Sequence, residues 1–456
     1  MHFLLLMALA ASAPTLRQVA ALSLQLTKRE KPAVLSIPVD YHAVSAEFIT
    51  EATTPLVNVT VGTPPQAVRV AVDLQDSITS VLVPDIPKYD PTFSAKGYNC
   101  SDDDYCTLMG YFDPDKSSTF KSIPDPGSMS NPSTDVVSVG GQRVDSVPMS
   151  LFNIYPGAYS TLGMAHHPSF PFILVDQGFI NSPSFSLWSD TSTDNKGHLL
   201  LGGINKAMYE GPLQAFPFPV PNSTVSLPIA SVVVENSGNS TTGPATSRHD
   251  LANSPAILST LDSHTFLPSN TVQQIYADLG ITPTFVQSFN GSIPFIDCAR
   301  QQLENHTISL LFGNVTISAP WSALVQSLGN NTCELSIYPY NPDRPFGPGS
   351  QIQIGAIFLR HMYLAVDYEN MFAAVAPLNL NPGLDDIIEI GNGPRIPDAD
   401  GKFPATITTY GVYTPTPTTE VLTTTTSSVA VSFKTRAMDL TLGVAEAMFA
   451  FFYLII

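Results

Sequence analysis

Charge is scarce in this chain, and positive charge is the scarcest. Of 456 residues only 13% are Asp, Glu, Lys or Arg; 20 Lys and Arg stand against 38 Asp and Glu, a formal net charge of −18. So acidic a surface repels phosphate, which excludes nucleic acid as a partner and suits solubility in an acidic or extracellular medium. Also missing are H-E-x-x-H, C-x-x-C, a P-loop and G-x-S-x-G, so zinc-peptidase, dithiol, nucleotide-binding and nucleophile-elbow chemistries have no local support. No metal and no cofactor are expected. The neighbouring His166 and His167 sit on a loop and point in different directions, which reads as loop polarity rather than a metal site.

Hydrophobic residues make up 44% of the chain, enough for a large core. The length suits two domains or one two-lobed domain. Forty prolines, 28 glycines and many Ser and Thr point to turn-rich β structure. The opening MHFLLLMALAASA, residues 1–13, reads as a secretory signal peptide, too short to span a bilayer. Residues 14–49 read as a pro-segment or N-terminal extension, with the basic pair Lys28-Arg29 as a processing site or an ordinary exposed pair. In a secreted chain, four cysteines imply two disulfides. Of three connectivities, Cys100–Cys106 with Cys298–Cys333 is the simplest. Eight N-x-S/T sequons, at Asn58, Asn99, Asn222, Asn239, Asn290, Asn305, Asn314 and Asn330, predict glycans on exposed loops.

Past residue 380 the composition turns polar and then Thr/Pro-rich (TPTPTTEVLTTTTSS), which predicts an extended stalk over 381–433. The last stretch, 434–456, ends in LTLGVAEAMFAFFYLII. As a membrane span it is short, contains Glu446 and has no basic residues after it. A polar spacer with small residues from Ser427 to Ser432 fits a GPI-attachment signal better. The expected product is therefore secreted, monomeric, and held at the cell surface through lipid alone.

Between residues 50 and 380, short apolar runs of period two are broken by Gly, Pro, Asn and Asp, an all-β pattern in which TVQQIYADLG, residues 271–280, is the best helix candidate. Here PLVNVTVGTPPQAVRVAVD, YFDPDKSSTF, DQGFINSPSFSLW, GHLLLGGINKAMYEG and IQIGAIFLRHMYLAVDYEN occur in order. Together they resemble the pepsin-like aspartic peptidases, family A1. The resemblance implies two β-rich lobes, 50–213 and 214–380, related by a pseudo-twofold axis, with a cleft between them. Both disulfides fall where that family often places its own. Each lobe of such an enzyme supplies one Asp from a D-T/S-G-T/S loop. The paired carboxyls share one proton, so that one activates water and the other polarises the scissile carbonyl.

Set on that pattern, the first loop reads D-L-Q-D-S: Asp73 occupies the catalytic position, but Leu74 and Gln75 replace Thr and Gly. The second reads S-T-L-D-S, with Ser259 at the aspartate position and Leu261 at the glycine. An alternative register, three residues later, pairs Asp76 with Asp262, but needs gaps and puts Ile78 and His264 where glycine belongs. The flap segment after SSTF has no tyrosine, and Ala356 replaces the closing Asp. Ser259 as a nucleophile would need His264 as its base. These departures predict a non-catalytic homologue whose cleft binds a peptide, a protein or a cell-surface glycan. The alternative is an acid endopeptidase with an atypical Asp pair.

Overall fold

A computed structural model describes residues 34–42, 54–84, 108–123, 132–153, 159–190, 195–218, 224–236, 245–288, 291–298, 306–327, 331–340, 351–391, 393 and 395–401. The GTPPQ segment is the turn between Thr54–Val61 and Gln66–Asp73, an antiparallel hairpin. Gly62 there has φ +83°, and a Cβ would fall 2.7 Å from Ser117 Oγ; only glycine fits both constraints. Ser117 belongs to the FDPDKSST segment, which lies against this turn. Thr63 N–H donates to Ser117 Oγ (3.1 Å), and the Gln66 amide exchanges two 2.9 Å bonds with the Asp113 backbone. Two motifs separated in sequence are thus one packed unit.

Strand Gln66–Asp73 runs parallel to Ser160–Gly163, and Thr79–Val83 runs parallel to Met149–Asn153. The second lobe repeats the plan in a seven-stranded sheet. There the end of Ala245–Leu258 runs parallel to Gln353–Ile354, and Thr265–Leu267 runs parallel to Ile337–Pro339. A four-stranded sheet beside it includes Gly291–Asp297 and Thr332–Leu335. The expected helix is present as Ser269–Asp278, burying Val272, Ile275 and Tyr276. The fold is all-β and bilobal. Alternation is clearest in Val315–Pro320, where every second residue is buried.

Three boundaries differ from the sequence reading. Leu35–His42, inside the expected 14–49 extension, is a structural strand paired with both Lys196–Leu201 and Thr54–Val61. Met362–Asp367, Phe372–Pro377 and Leu213–Pro217 join the same 14-stranded sheet as the first lobe, so that sheet continues past residue 213. Finally, within 381–401 the described segments 387–391 and 395–401 pack against the body and are not stalk. Ile387–Glu389 pairs with Gly203–Asn205, and Ala399–Asp400 pairs with Leu213 and Gln214. Ile390, Ile396 and Ala399 are buried beside Trp188, Tyr209 and Tyr363, while Asp398 takes Lys206 Nζ (2.9 Å) and the Tyr209 hydroxyl (2.9 Å). A few apolar residues inside a polar, turn-rich segment suffice once a ready-made aromatic surface is there to receive them.

The remainder of the stalk, residues 1–13 and 434–456, and Lys28-Arg29 lie outside the described residues, as do Cys100 and Cys106 and the sequons Asn99, Asn222, Asn239, Asn290, Asn305 and Asn330. Among the described residues no helix is long and apolar enough to cross a membrane. Cys298–Cys333 is a disulfide, with Cα atoms 5.0 Å apart. Asn58 and Asn314 are both exposed; Asn314 sits on the turn before Val315–Pro320, but Asn58 is on the outward face of a strand rather than on a loop.

Candidate active site: two equivalent loops

The loops 73–79 and 259–265 leave the ends of their strands with the same hydrogen-bond plan. Gly163 N–H donates to Thr79 Oγ1 (3.4 Å), and Gly355 N–H to Thr265 Oγ1 (3.1 Å). Ala165 N–H reaches Asp76 O (3.0 Å), and Ala356 N–H reaches Asp262 O (2.8 Å). Asp76 Oδ1 accepts from Ile78 N–H and Asp262 Oδ1 from His264 N–H, both at 2.9 Å. A Cβ on Gly163 or Gly355 would lie 2.6 or 2.5 Å from the carbonyl of Ser77 or Ser263. Both glycines are therefore required by the close passage of the loop over its neighbouring strand. This correspondence seats Ser259 opposite Asp73, Thr260 opposite Leu74, Leu261 opposite Gln75 and Asp262 opposite Asp76.

Asp73 ends its strand 5% exposed. Its Oδ1 accepts from Gln75 N–H (2.8 Å) and Asp76 N–H (3.2 Å). Burial pushes its carboxyl up and outweighs the two N–H donors that favour the charged form; with the Asp76 carboxylate adding repulsion, the result is about 6. Leu74, fully buried, belongs to the main core. Beneath the loop Tyr368 donates its hydroxyl to Met164 O, while Met164 N–H donates to Asp73 O.

Ser259, 1% exposed, accepts Asp262 N–H on its hydroxyl oxygen at 3.1 Å, matching the bond from Asp76 N–H to Asp73. The same hydroxyl lies 3.5 Å from Gln75 Oε1 of the first lobe. Thr260 donates its hydroxyl to Val72 O, a second tie across the lobe boundary. Leu261, at the glycine position, packs against Leu56, Ala71 and Met109 of the first lobe.

In the alternative pair, each carboxyl is bonded within its own lobe. Asp76 is engaged by Ile78 N–H in its own loop. Asp262 accepts from His264 N–H and Nδ1 (2.8 Å) and from Gln353 Nε2 (3.1 Å), all within the second lobe. Among the described residues no hydrogen bond joins two carboxyl groups across the loops. Nor is His264 a base for Ser259: its second nitrogen, Nε2, lies 3.0 Å from Glu334 Oε1. Tyr338 stacks on the imidazole with centroids 4.4 Å apart and donates its hydroxyl to Glu334. Burial pulls His264 down, but the two carboxylates override it and set the ring at about 9. Glu334, Tyr338 and Gln353 escape sequence reasoning, being 70 or more residues from His264; the only local signal is the unusual His264 itself. His166 and His167 make edge contacts with Phe172, and His166 also with Tyr368.

A family model of eukaryotic aspartyl proteases matches residues 156–378, a span that contains the second loop and not the first. The chain is 25% identical over 428 residues to the probable aspartic-type endopeptidase opsB of Aspergillus fumigatus, covering 82% of this chain and 83% of that protein. The Aspergillus oryzae protein of the same name is 26% identical over 424 residues, 81% of each chain. Aspartic proteinase yapsin-7 of Saccharomyces cerevisiae is 31% identical over 234 residues, 45% of this chain and 37% of that protein.

Proposed function

We propose that this chain, which belongs to the pepsin-like (A1) aspartyl protease family, is a secreted, non-catalytic member that binds an extended peptide in its interlobe cleft. A protein surface or a cell-surface glycan would occupy the same place. The observation that carries this reading is Ser259. Its hydroxyl sits in the seat that the lobe symmetry assigns to a second carboxyl, held by the Asp262 N–H as Asp73 is held by the Asp76 N–H. Hydrolysis by a pair of carboxyls needs one ionised to take a proton from water and one protonated to polarise the carbonyl. Asp73 can alternate between those states near pH 6, but an alcohol, which does not ionise in any working range, cannot supply the other half. What remains is a floor of neutral hydrogen-bonding groups, Gln75, Ser259 and protonated Asp73, suited to a peptide backbone in an acidic medium.

The names of these relatives, aspartic-type endopeptidases, favour one competing reading, acid proteolysis with an atypical pair of aspartates. Incubating the purified protein with denatured haemoglobin from pH 2 to 6, with and without pepstatin, separates the two. No turnover is expected, and none from Ser259→Asp alone, since Leu74, Gln75 and Leu261 remain. Pepstatin-sensitive cleavage abolished by Asp262→Ala would establish the competing reading. The proposed anchor is tested separately, by release of the protein from intact cells with phosphatidylinositol-specific phospholipase.

A further inference from the structure

The loop that lost its carboxylate carries a charged arrangement that its counterpart lacks. Where the first loop has Ile78, 39% exposed, the second has His264, its side chain only 18% exposed and held by acidic groups on both nitrogens. Asp262 Oδ1 lies 2.8 Å from Nδ1, and Glu334 Oε1 lies 3.0 Å from Nε2. Glu334 is itself 8% exposed on strand Thr332–Leu335, one residue from the Cys298–Cys333 disulfide, which fixes that strand. Among the described residues, the groups facing the ring are Asp262 from the loop itself, Glu334 from that strand, the stacked Tyr338 from Ile337–Pro339, and neutral Phe266 at its edge. An imidazole with a carboxylate on each nitrogen holds both only as the doubly protonated cation, since a neutral ring has one donor.

From Tyr338 the bonds run to Glu334, His264 and Asp262, then through the Asp262 N–H to Ser259 Oγ, which lies 3.5 Å from Gln75. Gln353 Nε2 secures the remaining Asp262 oxygen at 3.1 Å. A chain of this kind, with each polar group partnered, fixes its members more firmly than separate bonds would.

We propose that His264 is a positioning residue: clamped as a cation between Asp262 and Glu334, it fixes the second loop so that the Asp262 N–H holds the Ser259 hydroxyl toward Gln75 of the opposite lobe. The role does not depend on whether the cleft binds or cuts. It gives this half of the floor a pH dependence of its own. The clamp is complete below the ordinary histidine value of 6.5 and is lost as pH rises through about 9.

The full-length protein with labelled histidine and amide positions provides the test, by NMR titration of the His264 ring alongside exchange protection of the Asp262 amide from pH 6 to 10. Protection corrected for intrinsic exchange should stay level to pH 8 and fall about tenfold or more above pH 9, in step with the ring. In Glu334→Gln, which keeps an acceptor for Tyr338, both midpoints should move down together. In His264→Phe the step should vanish. If that variant does not fold, Glu334→Gln alone decides. A ring that titrates at its ordinary value in the wild type, or an Asp262 step unmoved by either substitution, overturns the proposal. Because neither readout uses a ligand or a substrate, the proposal and the non-catalytic reading can fail separately.

Discussion

Loops 73–79 and 259–265 share their main-chain bonds and carry opposite side chains at two seats. The first retains the carboxyl, Asp73, but has buried Leu74 where its counterpart carries a hydroxyl. The second retains the hydroxyl, Thr260, which still crosses to Val72 O, but carries Ser259 in place of the acid. The backbone frame depends on the Gly163 and Gly355 approaches, the Thr79 and Thr265 hydroxyls and the Asp76 and Asp262 turns. None of these uses the side chains of Asp73 or Ser259. A frame held by such bonds does not depend on which side chain stands at its tip.

If Leu74 has become core while Thr260 remains a tie between lobes, substitutions at these equivalent seats should differ in size and kind. Leu74→Ala, at a fully buried site, should lower stability by about 3 kcal/mol or more. Urea denaturation measures this, and a loss below about 1 kcal/mol would mean the cavity collapses and the seat is not core.

At the paired acid and alcohol, the contrast lies in pH. The carboxyl of Asp73 is raised in the fold from 3.8 to about 6, so the folded state holds its proton longer than the unfolded chain. Stability from this group is therefore present in acid and declines as pH rises from about 4 to above 6. Asp73→Asn keeps an acceptor for the Gln75 and Asp76 N–H groups and removes the buried charge. It should stabilise the protein by about 3 kcal/mol at pH 8 and by nothing at pH 3, read from paired denaturation curves. A destabilising effect at pH 8 would show that the ionised form has a favourable partner.

The smallest effect sharpens the cross-lobe tie. Thr260→Val should cost about 1 kcal/mol, because Val72 O loses its donor, with the main-chain bonds of both loops intact. No change in stability would mean that water replaces the hydroxyl at no cost.

Most of the frame could be read from local chemistry. The period-two runs, the GTPPQ turn with its required glycine, the helix near residue 271 and the Cys298–Cys333 pair all depend on near neighbours or on a family pattern. The tail differs from its sequence reading for a physical reason: Ile387, Ile388, Ile390 and Ile396 form too short an apolar set to signal a packed segment until Trp188, Tyr209 and Tyr363 form a surface for them. The clamp was illegible because Glu334 is 70 residues from His264, and no local pattern encodes that meeting.

By itself the sequence determined which atoms stand at the two seats, a carboxyl at 73 and a hydroxyl at 259, since side-chain identity is fixed before any folding. Only the tertiary structure decided what surrounds them: Leu261 set among Leu56, Ala71 and Met109, and His264 held as a cation by two acids. Proton affinity and packing are properties of neighbours, and neighbours drawn from distant strands exist only once the sheets have closed.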